Sequence, residues 1–305
     1  MKILITGASG LLGRYLLRTQ PISEGAPEGV LDYVHDVVPC YYTNIIEGIQ
    51  LNVSNKESVL NTLWEIQPDI IIHCAANGDV DSVEKNPSWA LESDLLGIVN
   101  LKRYAEKMKC KLITISSNAV YDGQNPPYSE NSVRNPVNFY GKIKSLADDI
   151  IMASSCNWII IRPIFLYGWN YKHGRGNWVT KILDALKEGK ELKLVTDSYT
   201  QPTYAEDVSK FIWHLIEKDK WKVQYNVSAI ETISLYEFGM TVRKVFGYYN
   251  NASKNTSHSI KPAKLKDFPE IAPRPVNTCF HARWINNYFK FSGIEEGLIK
   301  MKNEK

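Results

Sequence analysis

The sequence predicts an α/β protein built on a doubly wound parallel sheet. Three observations predict it. A short apolar strand opens the chain, a glycine-spaced turn leads from that strand directly into a helix, and strand-like and helix-like segments then alternate across short joins. Lys2 to Thr6 is rich in Ile and Leu, too brief for a helix and stopped by glycine, which is the pattern of a strand buried on both faces. Gly7, Gly10 and Gly13 follow at G-x-x-G-x-x-G spacing, and Leu12, Tyr15 and Leu16 set a helical period at once. A pyrophosphate needs backbone free of side chains and the N–H groups of a helix N-terminus, so residues 7 to 13, with Gly7, Ser9, Gly10, Leu11, Leu12 and Gly13 as the contacts, are assigned to a dinucleotide.

The remaining elements follow in order. Gln20 to Asp36 carries Pro21, Gly25, Pro27 and Gly29 and reads as a loop. Val37 to Thr43 is a second strand in which Pro39 suits an edge or bulge. Its far end holds Tyr41, Tyr42, Thr43 and Asn44, with no carboxylate to bind ribose hydroxyls or repel a 2′-phosphate, and Arg14 lies just past the third glycine. NADP(H) is therefore favoured, with NAD(H) as the alternative. Ile49 to Val53 is a third strand. Ser54-x-x-Glu57 is a capping box for a helix that runs to Ile66 and stops before Pro68. Asp69 to Cys74 is a fourth strand, continued by Ala75, Ala76 and Asn77. Small residues there let a cofactor lie close, although tight packing alone would select them equally. His73 sits in an apolar run and reads as a core histidine. A helix from Pro87 to Met108 and a fifth strand from Lys111 to Ser116 complete a Rossmann-type order, and Asn157 to Ile164 adds a sixth strand.

Ser116 and Ser117 close the fifth strand, and Tyr140-Gly-Lys-Ile-Lys144 follows Pro136 and Asn138, both helix-start residues. Tyr140 and Lys144 share one helix face. Of seventeen tyrosines, Tyr140 alone has a lysine four places on. A phenol with a pKa of about 10 is a poor acid at neutral pH, but a neighbouring ammonium favours the phenolate and brings the group toward working range. A serine hydroxyl can hold the same carbonyl oxygen. Alone, Tyr-x-x-x-Lys would be an exposed helix pair. Joined to the glycine turn and a strand-end serine, it points to proton and hydride delivery at one C=O, with Ser117, Tyr140 and Lys144 as the catalytic set.

These motifs resemble those of the extended short-chain dehydrogenase/reductases. The similarity to the dTDP-4-dehydrorhamnose reductase group spans nearly the whole chain through Ser116 to Gly123, Pro127-Tyr-Ser-Glu130, Arg162-Pro163, Gln201 to Asp207 and Arg274-Pro-Val-Asn277. The resemblance implies reduction of the 4-keto group of a nucleotide-activated deoxy sugar, with Tyr140 as proton donor, Lys144 also holding the nicotinamide ribose and Ser117 orienting the carbonyl. It places Asn52 and Val53 at the adenine, Cys74, Ala75, Ala76, Arg162 and Pro163 along the cofactor, and Asn77, Asn118, Trp178, Gln201 and Arg274 at the substrate. The chain departs from the group at Ser117-Asn118, at Asn52 and Asp94, and in Asp197 to Thr203, which puts the sugar and nucleotide in question. A related epimerase or dehydratase is an alternative, although dehydratases of this fold place Asp-Glu where Asn118-Ala119 stands. A non-catalytic regulator, similar to the regulatory subunit of methionine adenosyltransferase, is another.

Residues 1 to 165, with about 201 to 222 returning, are expected to form the dinucleotide domain. Residues 166 to 200 and 223 to 305 form a smaller α+β substrate-binding domain. In the second region Tyr167, Trp169, Tyr171, Lys172, His173, Arg175 and Trp178 make an aromatic, cationic loop. It suits a base and a diphosphate, or else it is a surface loop with its aromatics tucked inward. Helices are expected over Trp178 to Leu186 and Thr203 to Ile216, a strand over Gln224 to Ala229, and a second capping box at Ser234-x-x-Glu237. Asn250 to Ser259 reads as a polar, mobile segment, and Lys300 to Lys305 as a solvated tail.

Bulk properties fit a soluble globular protein. The 305 residues are 44% hydrophobic and 23% charged, with a net charge of +3 and no basic block interleaved with aromatics, so nucleic acid is not implied. Five scattered cysteines form no C-x-x-C pair, and no ligand cluster demands a metal. With no signal pattern and no membrane-length apolar run, the expected location is cytoplasmic, away from membranes, with a homodimer as one open assembly.

Overall fold

The computed structural model describes residues 1–23, 32–172, 174–248, 260–268 and 272–304. The expected polar segment from Asn250 to Ser259, residues 24–31 of the loop after Gln20, and His173 lie outside the described residues. The first half runs β1 (Lys2–Thr6), α1 (Leu11–Arg18), β2 (Asp36–Tyr41), β3 (Ile49–Gln50), α2 (Lys56–Ile66), β4 (Ile70–His73), α3 (Val80–Lys85), α4 (Pro87–Ala90), a π-helical turn at Leu91–Leu95, α5 (Leu96–Met108), β5 (Lys111–Ile115), α6 (Phe139–Met152) and β6 (Trp158–Pro163). The second half runs β7 (Leu166–Tyr167), α7 (Trp178–Glu188), β8 (Leu192–Val195), β9 (Tyr199–Thr200), β10 (Thr203–Tyr204), α8 (Ala205–Lys218), β11 (Val223–Val227), β12 (Ile233–Ser234), α9 (Leu235–Val245), β13 (Ile260–Ala263), α10 (Ala282–Tyr288) and α11 (Ile294–Asn303).

Seven parallel strands form the main sheet in the order β11-β6-β5-β4-β1-β2-β3. The strands are apolar on both sides because both faces are covered. Ile3, Ile5, Ile70 and Ile72 meet Phe211 and Ile212 of α8 on one face, while Leu4 and Ile71 meet Val59, Leu63 and Leu101 of α2 and α5 on the other. Each such side chain contributes roughly 1.5–3 kcal/mol by leaving water. The chain leaves β1 toward β2 and β3, then crosses to β4 on the opposite side. The strand order therefore reverses between β1 and β4, and the ligand crevice of an open α/β sheet lies above that point.

Several boundaries differ from the sequence reading for local reasons. The cap of α2 is Asn55, whose side chain accepts from Ser58 N–H, and not Ser54; Ser54 instead donates to Asn52. The third strand is only Ile49–Gln50. It pairs with β2 at Cys40 and Tyr41, so Pro39, one residue earlier, has no partner strand on that side. The box at Ser234 forms with both arms, Ser234 accepting from Glu237 N–H and Glu237 accepting from Ser234 N–H. Val223–Val227 pairs along β6 as a strand of the main sheet, where the expectation had assigned residues from 223 onward to the smaller part. Lys300 to Asn303 belongs to α11, with Met301 fully buried, so this end is packed and not a loose tail.

Beyond the main sheet the strands are short pairs: β7 with β10, β9 with β12 and β8 with β13. Around them Tyr167, Leu183, Leu194, Phe238 and Leu298 form a separate apolar cluster.

Candidate active site

The glycine turn shows why side chains are excluded. Gly7 has φ +69°, and a Cβ there would lie 2.5 Å from Ala75 N; a Cβ on Gly13 would lie 2.4 Å from Gly7 O. The carboxyl ends of β1 and β4 thus press together, and the first turn of α1 packs onto the strand it follows. Gly10 caps α1 with no side-chain hydrogen bond and no acidic residue in the first turn, which leaves the helix N-terminus for an anion. Ser9 and Leu12 are buried beside it, and Leu11 is half-buried against the second apolar cluster. These features fit a dinucleotide pyrophosphate. Asn52 is half-buried and Val53 buried at the end of the β3 segment, with Val53 packed close to Gly97.

On the other side of the crevice the end of β5 and the start of α6 gather the three residues expected to be catalytic. Ser117 stands two residues past β5, where its Oγ accepts from Ala119 N–H at 3.1 Å and donates to Asn118 Oδ1 at 3.3 Å. Asn138 caps α6 by accepting from Gly141 N–H at 2.9 Å, and it donates to Pro273 O at 2.9 Å. Gly141 needs its missing side chain, because a Cβ would sit 2.1 Å from Ala119 O. That close approach seats the start of α6, and with it Tyr140, against the Ser117 turn. Tyr140 packs beside Val83, Ala90 and Ile143. Lys144 is buried, with its Nζ 5.8 Å from the Tyr140 ring centroid and 3.2 Å from Ile115 O, the carbonyl that ends β5. The structure therefore brings Ser117, Tyr140 and Lys144 to one strand end.

The surroundings of Lys144 are set by burial. A recess of about 10 Å³ behind it is lined by His73, Asp94, Ser116 and Asp148 among others. His73 is the core histidine expected: its Nδ1 lies 2.7 Å from Thr6 Oγ1, and burial, with Lys144 adding to it, pulls its pKa down to about 3. Burial pushes the Cys74 thiol up to about 12, so Cys74 is a packing residue beside the crevice and not a nucleophile. Ala75 lies against Gly7 and Ala76 is exposed. Asn77 donates its backbone N–H to Asp94 at 3.1 Å, and its Nδ2 is buried without a partner among the described residues, an unmet donor of the kind a bound ligand or water satisfies. The π-helical turn at Leu91–Leu95 carries Asp94 inward to that contact.

Four assignments need correction. Arg162, expected at the cofactor, is fully buried: its guanidinium pairs with Asp148 at 2.9 Å and donates to Tyr121 and Gln224, which ties β6 to α6, and Pro163 is buried in the same strand. Burial raises the Asp148 carboxyl, and Arg162 opposes that rise. Gln201, expected at the substrate, is 2% exposed and saturated. It accepts from Phe280 N–H and Ser228 Oγ and donates to the carbonyls of Ile230 and Phe280. Arg14, the basis for a 2′-phosphate contact, donates to Trp169 O and Asn170 O and lies over Tyr171. Trp178 stacks on Phe165 with an interplanar angle of 8° and belongs to the second apolar cluster, so much of its indole is committed to packing.

The other residues expected at the substrate have partners already in place. Asn118 donates to Thr278 Oγ1 at 2.5 Å. Arg274 pairs with Asp81 at 2.8 Å, and Arg175 reaches Asp79 at 3.7 Å across Gly78. Sequence reasoning missed Asp79 and Asp81. The available signal was Asp79 as the side-chain cap of α3, three residues before Ser82. It also missed Phe165, which holds φ +48° beside the stacked Trp178.

Comparisons with known proteins place the chain in a family. The model of the RmlD substrate binding domain family matches residues 1–299. Methionine adenosyltransferase 2 subunit beta of Xenopus tropicalis is 30% identical over 283 residues, 90% of this chain and 79% of that protein. The dTDP-4-dehydrorhamnose reductase of Aggregatibacter actinomycetemcomitans is 24% identical over 298 residues, 94% of this chain and 93% of that protein. Among solved structures, a dTDP-4-dehydrorhamnose reductase from Bacillus anthracis in complex with NADP superposes with a TM-score of 0.83 at 27% identity, covering 100% of this chain and 99% of that one. With a family match over nearly its full length and a strand-end Ser117 beside the Tyr140/Lys144 helix, the chain belongs to the RmlD substrate binding domain family.

Proposed function

We propose that this protein is an NADP(H)-dependent reductase of the 4-keto group of a nucleotide-activated deoxy sugar, serving polysaccharide precursor synthesis. The observation that carries this reading is the placement of Ser117, Tyr140 and Lys144 at the carboxyl end of β5, across the sheet's reversal point from an uncapped glycine turn. The residues of the glycine turn hold the pyrophosphate, Asn52 and Val53 border the adenine, and Cys74 to Ala76 border the nicotinamide side. When bound, the dinucleotide supplies the hydride. Ser117 Oγ donates a hydrogen bond to the substrate carbonyl and fixes its orientation. Tyr140 gives its proton to the same oxygen as negative charge develops there, and the buried Lys144 ammonium stabilises the phenolate left behind. Arg274 and Arg175 exchange their Asp81 and Asp79 partners for the substrate diphosphate. NAD(H) is the alternative dinucleotide, since β2 ends without either a carboxylate or a free arginine.

A second reading is favoured by the similarity to methionine adenosyltransferase 2 subunit beta: a dinucleotide-binding regulatory subunit. NADPH oxidation measured over a panel of nucleotide 4-keto sugars separates the two. Turnover with one of them is expected. No turnover across the panel, together with a stable complex with a methionine adenosyltransferase, would overturn the reductase reading.

A further inference from the structure

A second cavity lies on the face of the sheet covered by α2 and α5, lined by residues other than those of the glycine turn and the Ser117 end of β5, and its volume is about 160 Å³. Two helical stripes enclose it. Lys56, Leu60 and Trp64 recur every four residues on α2, and Arg103, Tyr104 and Lys107 face them from α5. The floor is satisfied already: Tyr104 is 2% exposed and donates to Leu63 O at 2.8 Å, while Asn100 donates to Val53 O and Ser54 O. The rim is not. Lys56, Arg103 and Lys107 are all exposed, and none has a carboxylate within ion-pair distance among the described residues; the nearby Glu106 is taken by Lys102 at 2.9 Å and by Ser155 N–H. Trp64 is 42% exposed, with Lys107 Nζ 5.1 Å from its ring centroid and Tyr104 edge-on at 6.3 Å.

We propose that this groove binds a nucleoside polyphosphate, its base lying against Trp64 and Leu60 and its phosphates meeting Lys56, Arg103 and Lys107. A volume near 160 Å³ accommodates one aromatic ring, by analogy with the roughly 150 Å³ cavity that takes up benzene. The three cations around it have no ion-pair partner among the described residues, and an indole beside a cationic rim is the arrangement that recognises a base together with its charge. The proposal is independent of the reductase reading, because none of these residues belongs to the crevice.

The test is titration calorimetry with ATP, inorganic tripolyphosphate and adenosine on protein saturated with NADPH. The parent is compared with the triple variant Lys56→Glu/Arg103→Glu/Lys107→Glu and with Trp64→Ala, NADPH binding serving as the check on folding. ATP is expected to bind the parent, at least about tenfold more weakly to either variant, and more tightly than tripolyphosphate or adenosine. Absence of ATP binding, or equal binding by parent and triple variant, which would locate the nucleotide in the crevice or substrate cleft, overturns the proposal. Equal binding of ATP and tripolyphosphate, with no effect of Trp64→Ala, would reduce the groove to a general anion patch and overturn it as well.

Discussion

The two sides of the crevice are built by different means. On the glycine-turn side the backbone itself makes the site: Gly7 and Gly13 allow contacts closer than any side chain permits, and α1 presents uncapped N–H groups. On the side expected to face the substrate the residues are long polar side chains that already have partners: Gln201, a buried wall residue, with Phe280 and Ser228, Arg274 with Asp81, Arg175 with Asp79. The first kind of site is rigid and intolerant of added atoms. The second is a set of hydrogen bonds and ion pairs between side chains, and under the proposed function Arg274 and Arg175 would give up theirs to the ligand while Gln201 keeps its own.

Four substitutions probe that contrast. Gln201→Ala has the largest expected effect, a loss of about 3 kcal/mol from three buried partners and one part-buried one left stranded, read as a lower midpoint in urea unfolding with substrate KM little changed in the folded enzyme. A raised KM without loss of stability would return Gln201 to the substrate. Gly13→Ala is expected to cost about 1–3 kcal/mol through its contact with Gly7 O and to weaken dinucleotide binding, measured by unfolding and by NADPH titration.

His73 gives an effect that depends on pH. Its folded-state pKa of about 3 lies below the ordinary 6.5, so the unfolded chain gains a proton that the folded chain refuses. The stability contributed by neutral His73 is complete above about pH 6.5 and falls as the pH drops toward 3, with about 2 kcal/mol lost by pH 5. His73→Gln should flatten that acid limb in unfolding measured from pH 7 to 5; an unchanged limb would contradict it. Arg274→Ala has the smallest effect on folding, under about 1 kcal/mol for a partly exposed pair, but is expected to raise KM for the nucleotide sugar several-fold while leaving NADPH affinity unchanged.

How much was legible in the sequence follows the same division. Local rules were readable: the glycine spacing, Asn138 before α6, the i, i+4 pairing of Tyr140 and Lys144, and the Ser234/Glu237 box all depend on neighbours within a few residues. The placement of Arg162 and Gln201 was not. Their partners stand 14, 62 and 79 residues away, and whether a guanidinium or amide faces a ligand or a buried carboxylate is decided by packing between distant segments. Residue type alone cannot distinguish a buried arginine that ties two elements together from one that binds phosphate. The shift of the α2 cap from Ser54 to Asn55 is the smaller version of this problem, two adjacent residues each able to accept the helix N–H.

If Tyr140 delivers the proton at the reacting carbonyl, Tyr140→Phe will separate cofactor binding from chemistry when NADPH binding and NADPH oxidation are measured on the same preparation. The variant is expected to keep NADPH affinity close to the parent's and to turn over the nucleotide sugar at least about a hundredfold more slowly. Oxidation at the parent's rate by the phenylalanine variant would contradict it.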